Sequence, residues 1–477
     1  MRRPTRTFLL PLILAALPWA AALTIAEDEK AAPTKTAAPP KDTAAPPKAI
    51  AAPAEETSCI KCHCDPDRLE VWEGEQRRLY IAKASIQQDI HWQKGLSCHD
   101  CHGGNIHAFD IKEVPHAKES GFRAVKSPAD VPEFCGHCHS SVEYMRRYNP
   151  SPRTDQVTEY WTSGHGRQLK ATGDPKVATC VSCHGHHGMR AVRDLASPVY
   201  PTHVAKTCAV CHSNKEVMAG RQYHGRPLGH HQYEDWEKSV HAEALLKKGD
   251  LSAATCNSCH GNHGALPPQV DSVANACGAC HGKVAKLFAA TSMKHQFEKA
   301  GLPGCATCHS NHLIRMPSDE MLGMEGGAVC ATCHAKGKYG ATLAGANVAR
   351  QLREKLEDLK TQITEAEAKV AEADRLGMEV RGPRFDLRKA VDAKTNARVL
   401  IHSFALQPVN DKLAEGLVAA TEVREKAEAA LWQFTYRRIW LAATLVPIML
   451  VIVLLLLYIR SMSPSAGGGE REDNPSH

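Results

Sequence analysis

Aromatic side chains are scarce in this chain of 477 residues, of which Phe, Trp and Tyr make up 5%. Aromatic side chains normally dominate core packing, so residues 58–340 hold too few of them for an ordinary hydrophobic core. The chain also lacks a large excess of charge of one sign, because its 58 Lys and Arg residues are nearly balanced by 52 Asp and Glu residues. No basic patch therefore indicates a nucleic-acid partner.

Cysteine is abundant, and eighteen of the nineteen cysteines fall in nine Cys-x-x-Cys-His motifs. This motif is the attachment site of c-type haem, in which both thiols form thioethers and the histidine binds the iron as proximal ligand. Zinc sites would not need an adjacent histidine every time, and a disulfide framework would not need this spacing. The predicted thioether cysteines are Cys59, Cys62, Cys98, Cys101, Cys135, Cys138, Cys180, Cys183, Cys208, Cys211, Cys256, Cys259, Cys277, Cys280, Cys305, Cys308, Cys330 and Cys333. The predicted proximal histidines are His63, His102, His139, His184, His212, His260, His281, His309 and His334.

Nine covalently bound haem c groups are therefore expected, and their porphyrins would fill the interior that aromatic residues do not fill. Each ferric haem adds roughly one net negative charge, because its two propionates outweigh the iron centre. The formal charge of +6 consequently overstates the charge of the oxidised protein, which we expect to be mildly acidic.

A repeated unit surrounds most of the motifs. Residues 161–165 (Trp-Thr-Ser-Gly-His) end fifteen residues before Cys180, and residues 236–241 (Trp-Glu-Lys-Ser-Val-His) end fifteen residues before Cys256. Each of these two motifs is followed by Gly-x-His-Gly and then by a second haem site. The unit thus contains a histidine, a haem site, a histidine and a haem site. Four such units, two of them looser, and the leading site at Cys59 account for all nine motifs.

Each unit supplies two histidines outside the motifs, enough to give both irons a sixth ligand and close them to substrate. A distal histidine need not serve its sequence neighbour, because closely packed haems can take ligands from an adjoining segment. The distal ligands that the repeat indicates are His91, His165, His187, His241, His263, His295 and His312. His107 and His116 compete for the eighth place, and His116 is preferred. His224 and His402 compete for the ninth, and His402 is preferred. The candidates behind these two are His230 and His231.

The remaining histidines and the odd cysteine have weaker assignments. His186 is an alternative to the neighbouring His187, whereas His99 and His137 lie inside attachment motifs and are poor candidates for ligands. Cys64 stands outside the motif pattern, and we expect it to be buried or unreactive.

Two apolar segments indicate export and membrane attachment. Residues 1–26 have the basic start, apolar core and small-residue cleavage site of a signal peptide, and residues 27–57 form an Ala-, Pro- and Lys-rich linker. Residues 439–459 carry no charge and are long enough to cross a bilayer. Because c-type haem is attached outside the bacterial cytoplasm, we expect residues 58–340, the nine-haem domain, on the periplasmic side of the cytoplasmic membrane. Residues 460–477 would then form a cytoplasmic tail.

A helical stalk is predicted over residues 346–436. Its apolar residues alternate spacings of four and three, which is typical of a coiled coil, and the pattern stops at Gly377. Pro383 would start a second helix, and a third would follow Pro408. The seam residues are Leu352, Leu356, Leu359, Ile363, Ala366, Val370 and Ala373. Packing of this seam within the chain is favoured, and packing between two chains would make a homo-oligomer.

The Cys-x-x-Cys-His-Gly-x-His-Gly repeat and the helical tail with residues 398–404 (Arg-Val-Leu-Ile-His-Ser-Phe) resemble the membrane-anchored multihaem cytochromes c of anaerobic and metal-respiring bacteria. In fold, these are similar to relatives of pentahaem nitrite reductase and octahaem hydroxylamine oxidoreductase. The resemblance implies a mainly α fold with little regular structure in the haem region. It implies a stack of parallel and perpendicular haem pairs, a long helical hairpin and one transmembrane helix. Its implied partners are membrane quinol-oxidising cytochromes b and iron-sulfur subunits.

Three functions are consistent with these features. We expect first an electron carrier, which passes electrons along nine haems between a membrane quinol-oxidising partner and a periplasmic acceptor in anaerobic respiration. The alternative is a reductase or oxidase of a small nitrogen or sulfur compound at one five-coordinate haem, such as the one at Cys59 or Cys208. Nitrite reductases of this superfamily use lysine in one motif, whereas all nine motifs here end in histidine, which favours the carrier. Direct quinol oxidation is the third function, and the C-terminal position of the anchor disfavours it.

Overall fold

The computed structural model describes residues 56–69, 79–110, 114–268 and 275–462. The predicted signal peptide, all but the last two residues of the predicted linker, and the predicted tail beyond Met462 lie outside the described residues. Those three assignments stay predictions.

The haem region consists of short helices joined by turns. Its helices are α1 (Ser58–His63), α2 (Pro66–Leu69), α3 (Lys83–Gln88), α4 (Ile90–Gln93), α5 (Cys98–His102), α6 (Val131–His139), α7 (Val142–Arg146), α8 (Gln156–Thr162), α9 (Gly164–Thr172), α10 (Cys180–His184), α11 (Pro201–His212), α12 (Lys215–Met218), α13 (Gln232–Glu237), α14 (Val240–Ala242), α15 (Cys256–His260), α16 (Gly282–Ala289), α17 (Ser292–Lys299), α18 (Gly304–His309) and α19 (Val329–His334). Single 3-10 turns occupy Lys118–Ser120, Pro128–Asp130, Asp319–Met321, Lys338–Gly340 and Ile401–Ser403, and a π turn occupies Glu243–Lys247. The sheet of the described residues is one antiparallel pair, β1 (Gln222–Tyr223) with β2 (Arg226–Pro227).

Several attachment motifs form one short helix because the residues on both sides favour helix ends. Before the fourth motif, the backbone N–H of Thr179 donates to Oγ of Ser182 at 3.0 Å, as part of a capping box, which stabilises a helix N-terminus. After the motif, Gly185 has φ 78°, a conformation that costs glycine little and that ends a helix. The sixth motif has the same arrangement between Thr255 and Gly261. The two cysteines and the histidine therefore lie on about one helical turn.

Three long helices follow the haem region: α20 (Leu343–Arg375), α21 (Arg381–Leu400) and α22 (Leu406–Met462). The predicted apolar seam of α20 exposes at most 3% of any residue and packs against α21 and α22 of the same chain. The helices α21 and α22 begin slightly before Pro383 and Pro408, because a proline in the first turn of a helix needs no hydrogen-bond partner for its nitrogen.

The helical bundle is fastened to the haem region near its last motifs. Nε and Nη2 of Arg398 donate to the two carboxylate oxygens of Asp319 at 2.9 and 2.6 Å, a bidentate geometry that fixes both partners. Nη1 of Arg353 donates to the backbone oxygen of Asp319 at 2.8 Å, and the rings of Phe288 and Phe404 lie 6.5 Å apart. These contacts bring the 3-10 turn between α21 and α22 close to the haem motifs.

Helix α22 continues beyond the bundle and contains the charge-free residues 439–459. Its most apolar stretch has a mean hydropathy of 2.8 and is not buried by the chain. A long exposed apolar surface is unfavourable in water, and the segment is long enough for a bilayer, so it is consistent with a single membrane span. Among the described residues, no other helix is long and apolar enough. The predicted fold class, mainly α with one candidate transmembrane helix, is confirmed.

Candidate haem-binding sites

The thiols of the attachment motifs are not joined in disulfide bonds. All nineteen cysteines are free, and all but Cys259 and Cys280 are half-buried. The described part of the chain contains no group of three or more His, Cys, Asp or Glu side chains arranged to hold a metal ion. A structural zinc site uses about four such ligands.

Eight of the nine proximal histidines face a second histidine across a gap of nearly constant width. The ring centres of each pair lie 5.9 to 6.4 Å apart. With the proximal residue first, the pairs are His63–His116 (5.9 Å), His102–His187 (6.0 Å), His139–His91 (6.0 Å), His184–His263 (6.2 Å), His212–His165 (6.0 Å), His260–His312 (6.1 Å), His281–His241 (6.4 Å) and His309–His402 (6.1 Å).

This spacing fits one metal ion between the two rings. A metal–nitrogen bond to histidine is about 2 Å and the ring centre lies about 1 Å beyond the nitrogen, so two opposed imidazoles on one iron have centres roughly 6 Å apart. Histidine rings in direct contact lie closer, as those of His230 and His231 do at 4.0 Å. The residues present therefore fit a haem with two histidine ligands at eight sites.

Hydrogen bonds orient several proximal rings for such a role. In each case Nδ1 lies within hydrogen-bonding distance of a backbone carbonyl oxygen. The pairs are His63–Leu79 (3.0 Å), His102–Arg123 (3.3 Å), His260–Leu266 (3.1 Å) and His334–Thr342 (3.0 Å). A carbonyl oxygen can only accept, so Nδ1 carries the proton and Nε2 presents a lone pair to a metal. Such partners fix both the tautomer and the orientation of a ligand ring.

Burial keeps two of the distal histidines, His165 and His187, neutral, which is the state that binds a metal. Burial is the main cause that lowers the pKa of His165 to about 4, and the neighbouring His212 acts in the same direction. Burial likewise lowers the pKa of His187 to about 4, with His186 acting in the same direction. At neutral pH both side chains are therefore unprotonated and able to bind a metal.

Asp89 connects two of the histidine pairs. Its Oδ1 accepts hydrogen bonds from Nδ1 and the backbone N–H of His91 at 3.0 and 2.8 Å, and its Oδ2 accepts from the backbone N–H groups of Gly188 and Met189 at 2.7 and 2.9 Å. Burial alone would raise the pKa of Asp89, but these hydrogen bonds outweigh burial and lower the pKa to about 2. The ionised carboxylate orients His91 and holds the segment that follows His187. Asp89 is not among the predicted site residues, although an aspartate at the N-cap of a histidine-bearing helix is a signal that could have indicated it.

The structure pairs histidines that are distant in the sequence. His91 precedes the second motif but faces His139 of the third, and His187 follows the fourth motif but faces His102 of the second. Of the competing candidates, His116 and His402 face proximal histidines, whereas His107 and His224 are exposed. Among the others, the rings of His230 and His231 contact each other at a tilt, and His186 lies against the ring of His187.

The site at Cys330 and Cys333 differs from the other eight. Within the described ranges, no second histidine lies in ring contact with His334. His295, predicted as a distal ligand, exposes 64% of its side chain, and its Nδ1 lies 3.8 Å from a carboxylate oxygen of Glu298. The structure therefore does not bring His295 to a proximal histidine.

The cysteines of successive motifs lie next to each other in an alternating pattern. The first cysteines are in side-chain contact in the pairs Cys59–Cys98, Cys135–Cys180, Cys208–Cys256 and Cys277–Cys305. The second cysteines lie within electrostatic range in the intervening pairs Cys101–Cys138, Cys183–Cys211, Cys259–Cys280 and Cys308–Cys330, where the last partner is a first cysteine. The nine attachment sites therefore follow one another in space in the same order as in the sequence.

Comparisons with known proteins agree with this chemistry. The family model for cytochrome c3 matches residues 249–335, which contain the last four motifs. The chain is also similar to the C-type polyheme cytochrome OmcC of Geobacter sulfurreducens, with 24% identity over 176 residues. That match covers 33% of this chain and 20% of the relative. No solved structure matches the chain significantly.

The repeated motifs and these matches together support a multihaem c-type cytochrome with covalently attached haem c. Electron transfer is the function that this class supports.

Proposed function

We propose that the protein is a nine-haem, membrane-anchored conduit that carries electrons between a membrane quinol-oxidising partner and a periplasmic acceptor. The observation that carries the proposal is the second histidine found opposite eight of the nine proximal histidines, at the spacing of one iron. A bound haem would supply an iron that cycles between the ferric and ferrous states. With histidine on both faces, that iron has no open position for a substrate. The fold relationship to multihaem nitrite reductases and hydroxylamine oxidoreductases is part of this proposal.

The alternating cysteine contacts support a continuous path. Each attachment site lies beside the site before it and the site after it, from Cys59 to Cys330. A conduit needs an unbroken series of haem sites, whereas an enzyme needs only one reactive site and a supply of electrons to it.

The length of α22 favours a partner that has a domain outside the bilayer. From Leu406 to Ile439 the helix is roughly 50 Å long at its rise of 1.5 Å per residue. An upright helix would hold the haem end of the bundle about that far from the bilayer. This disfavours direct quinol oxidation by the chain. Of the two proposed partners, an iron-sulfur subunit with a periplasmic domain fits better than a cytochrome b confined to the bilayer.

The enzymatic alternative now concerns a single haem site. Reduction or oxidation of a small nitrogen or sulfur compound needs an iron with an open position, and we expected it at Cys59 or Cys208. Their proximal residues, His63 and His212, both face a second histidine. Among the described motifs, the one ending in His334 has no such partner, so the alternative applies to that site.

The placement of the chain in the cell envelope is also a proposal. We place the haem domain, residues 58–340, and the stalk, residues 346–436, in the periplasm, after removal of residues 1–26. Residues 439–459 would span the cytoplasmic membrane, and residues 460–477 would lie in the cytoplasm.

The first test is electron paramagnetic resonance of the oxidised, detergent-solubilised protein, after mass spectrometry has counted its haems. We expect nine covalent haems per chain and low-spin ferric signals throughout. A high-spin signal equivalent to one haem would overturn the conduit in favour of the enzyme, and nitrite, hydroxylamine and sulfur oxyanions would then be screened. Fewer than nine haems would break the series and also contradict the proposal.

A further inference from the structure

Three short helices of the haem region begin in the same way and present a histidine at the same position. The N-cap residues are Asp89, Ser163 and Ser239, and each side chain accepts a hydrogen bond from a backbone N–H of its helix. In each helix the second residue after the cap is a histidine. These residues are His91, His165 and His241, and each faces the proximal histidine of the second motif that follows it in the sequence.

The backbone confirms that the three positions are equivalent. In each case the first helical residue donates its N–H to a carbonyl oxygen located two residues after a distal histidine of the next repeat. The hydrogen bonds are Ile90 to Met189 (2.7 Å), Gly164 to Ala265 (3.0 Å) and Val240 to Ile314 (2.8 Å). The capped helix and its ligand are thus one structural element, used three times.

A fourth copy of this element precedes the eighth motif, and a methionine occupies the ligand position. Thr291 is the N-cap of α17, and its hydroxyl accepts from the backbone N–H of Lys294 at 3.1 Å. The second residue after the cap is Met293. His295 lies two residues further, which is about 200° around the helix and therefore on the other side.

Burial agrees with this register. Met293 is half-buried, whereas His295 is exposed and lies beside Glu298. By the same rule as in the other three copies, the partner of Met293 is the proximal residue of the second motif downstream, which is His334. The helix α17 contacts the 3-10 turn Lys338–Gly340 that follows this motif.

We propose that Met293, and not His295, is the sixth ligand of the haem iron held by His334. The proposal rests on the proposed function, because it requires a haem at Cys330 and Cys333. A methionine sulfur opposite histidine raises the reduction potential of a haem relative to two histidines. The ninth site would therefore be reduced before the other eight, and it would hold an electron at the end of the series that adjoins the bundle.

The test compares Met293→Ala with His295→Ala in the full-length, haem-loaded protein. We expect the oxidised wild type to show one methionine–iron charge-transfer band in the far-red visible region. Met293→Ala should lose that band and gain a high-spin signal equivalent to one haem, while His295→Ala should retain the wild-type spectra. Met293→His should restore the low-spin state without the band and lower the potential of the haem that is reduced first.

Two results would overturn the assignment. One is the absence of the charge-transfer band from a wild-type protein that carries nine low-spin haems. The other is a high-spin signal in His295→Ala but not in Met293→Ala. Failure of the proposed function is distinguishable, because it would appear in the wild type as a missing haem or a high-spin signal before any substitution is made.

Discussion

At the scale of single residues, the eight histidine pairs share one spacing but differ in the angle between their rings. The planes of His260 and His312 are 8° apart, whereas those of His139 and His91 are 80° apart. Parallel imidazole planes separate the two iron d orbitals with which they overlap, and perpendicular planes leave them nearly equal in energy. If both pairs bind a haem iron, the two sites should therefore be distinguishable by their ferric spectra, although each offers two histidines.

We predict that electron paramagnetic resonance of the oxidised protein contains both rhombic and strongly anisotropic low-spin signals. His312→Ala should remove one haem equivalent from the rhombic set, and the matched variant His91→Ala should remove one from the anisotropic set. Each loss should be accompanied by a high-spin signal of the same intensity. Loss of the same signal in both variants would contradict the assignment of ring planes.

Asp89 is expected to tune the haem site that contains His91 and His139. An ionised carboxylate that accepts from Nδ1 makes the imidazole a stronger electron donor, which stabilises the ferric iron. Asp89→Asn should therefore raise the midpoint potential of one haem while leaving nine covalent haems in place. Spectroelectrochemical titration measures this, and Asp250→Asn is the control, because Asp250 accepts hydrogen bonds from Ser252 rather than from a ligand. An unchanged titration in Asp89→Asn would show that the carboxylate serves only to hold the backbone.

At the scale of elements, the stability of the bundle depends on the seam of α20. Leu359 is fully buried at the point where α20 approaches Gly416 of α22. Removing a buried leucine side chain and leaving a cavity costs about 2–5 kcal/mol, so Leu359→Ala should lower the stability of the bundle by about that amount. Denaturant unfolding followed by helical circular dichroism measures it. Val418→Ala on α22 is the control, since Val418 is 60% exposed and surface changes usually stay within about 0.5 kcal/mol.

The bundle also supplies a side chain to the haem region. The ring of His402 lies 6.1 Å from that of His309, in the 3-10 turn that Arg398 and Asp319 fasten in place. We predict that His402→Ala converts one haem to high spin with all nine thioether attachments intact. His224→Ala, which removes an exposed histidine, should leave the spin state unchanged. An equal response of both variants would mean that His402 is not a ligand.

The elements differ in how far their sequence reveals them. The seam from Leu352 to Ala373 is periodic and local, so its burial could be predicted from spacing alone. The haem motifs are equally explicit in the sequence, and several of them form one short helix with its own caps. The partner of a distal histidine is not local: His187 lies closest in the sequence to His184, yet it faces His102. The choice repeats regularly along the chain, but packing between repeats sets it, and the spacing within one repeat does not reveal it.

His295 shows how a residue type can mislead. His295 precedes the eighth motif by ten residues, where the two clear repeats have fifteen, and it lies two positions later after its N-cap, Thr291, than the histidines of those repeats do. The helix phase, rather than the distance to the motif, decides which side chain faces inward. The sequence could indicate His402 only as a candidate ligand, because this residue belongs to the bundle and not to any repeat.

At the scale of the whole molecule, the alternating cysteine contacts arrange the attachment sites in single file. Among the described cysteines, each attachment site has neighbours in the sites numbered before and after it. These contacts offer electrons no second route around a site. If one central attachment failed during maturation, the product would be two shorter cytochromes joined by a polypeptide but electrically separate, and only the C-terminal one would keep a haem path to the end of the series beside the stalk.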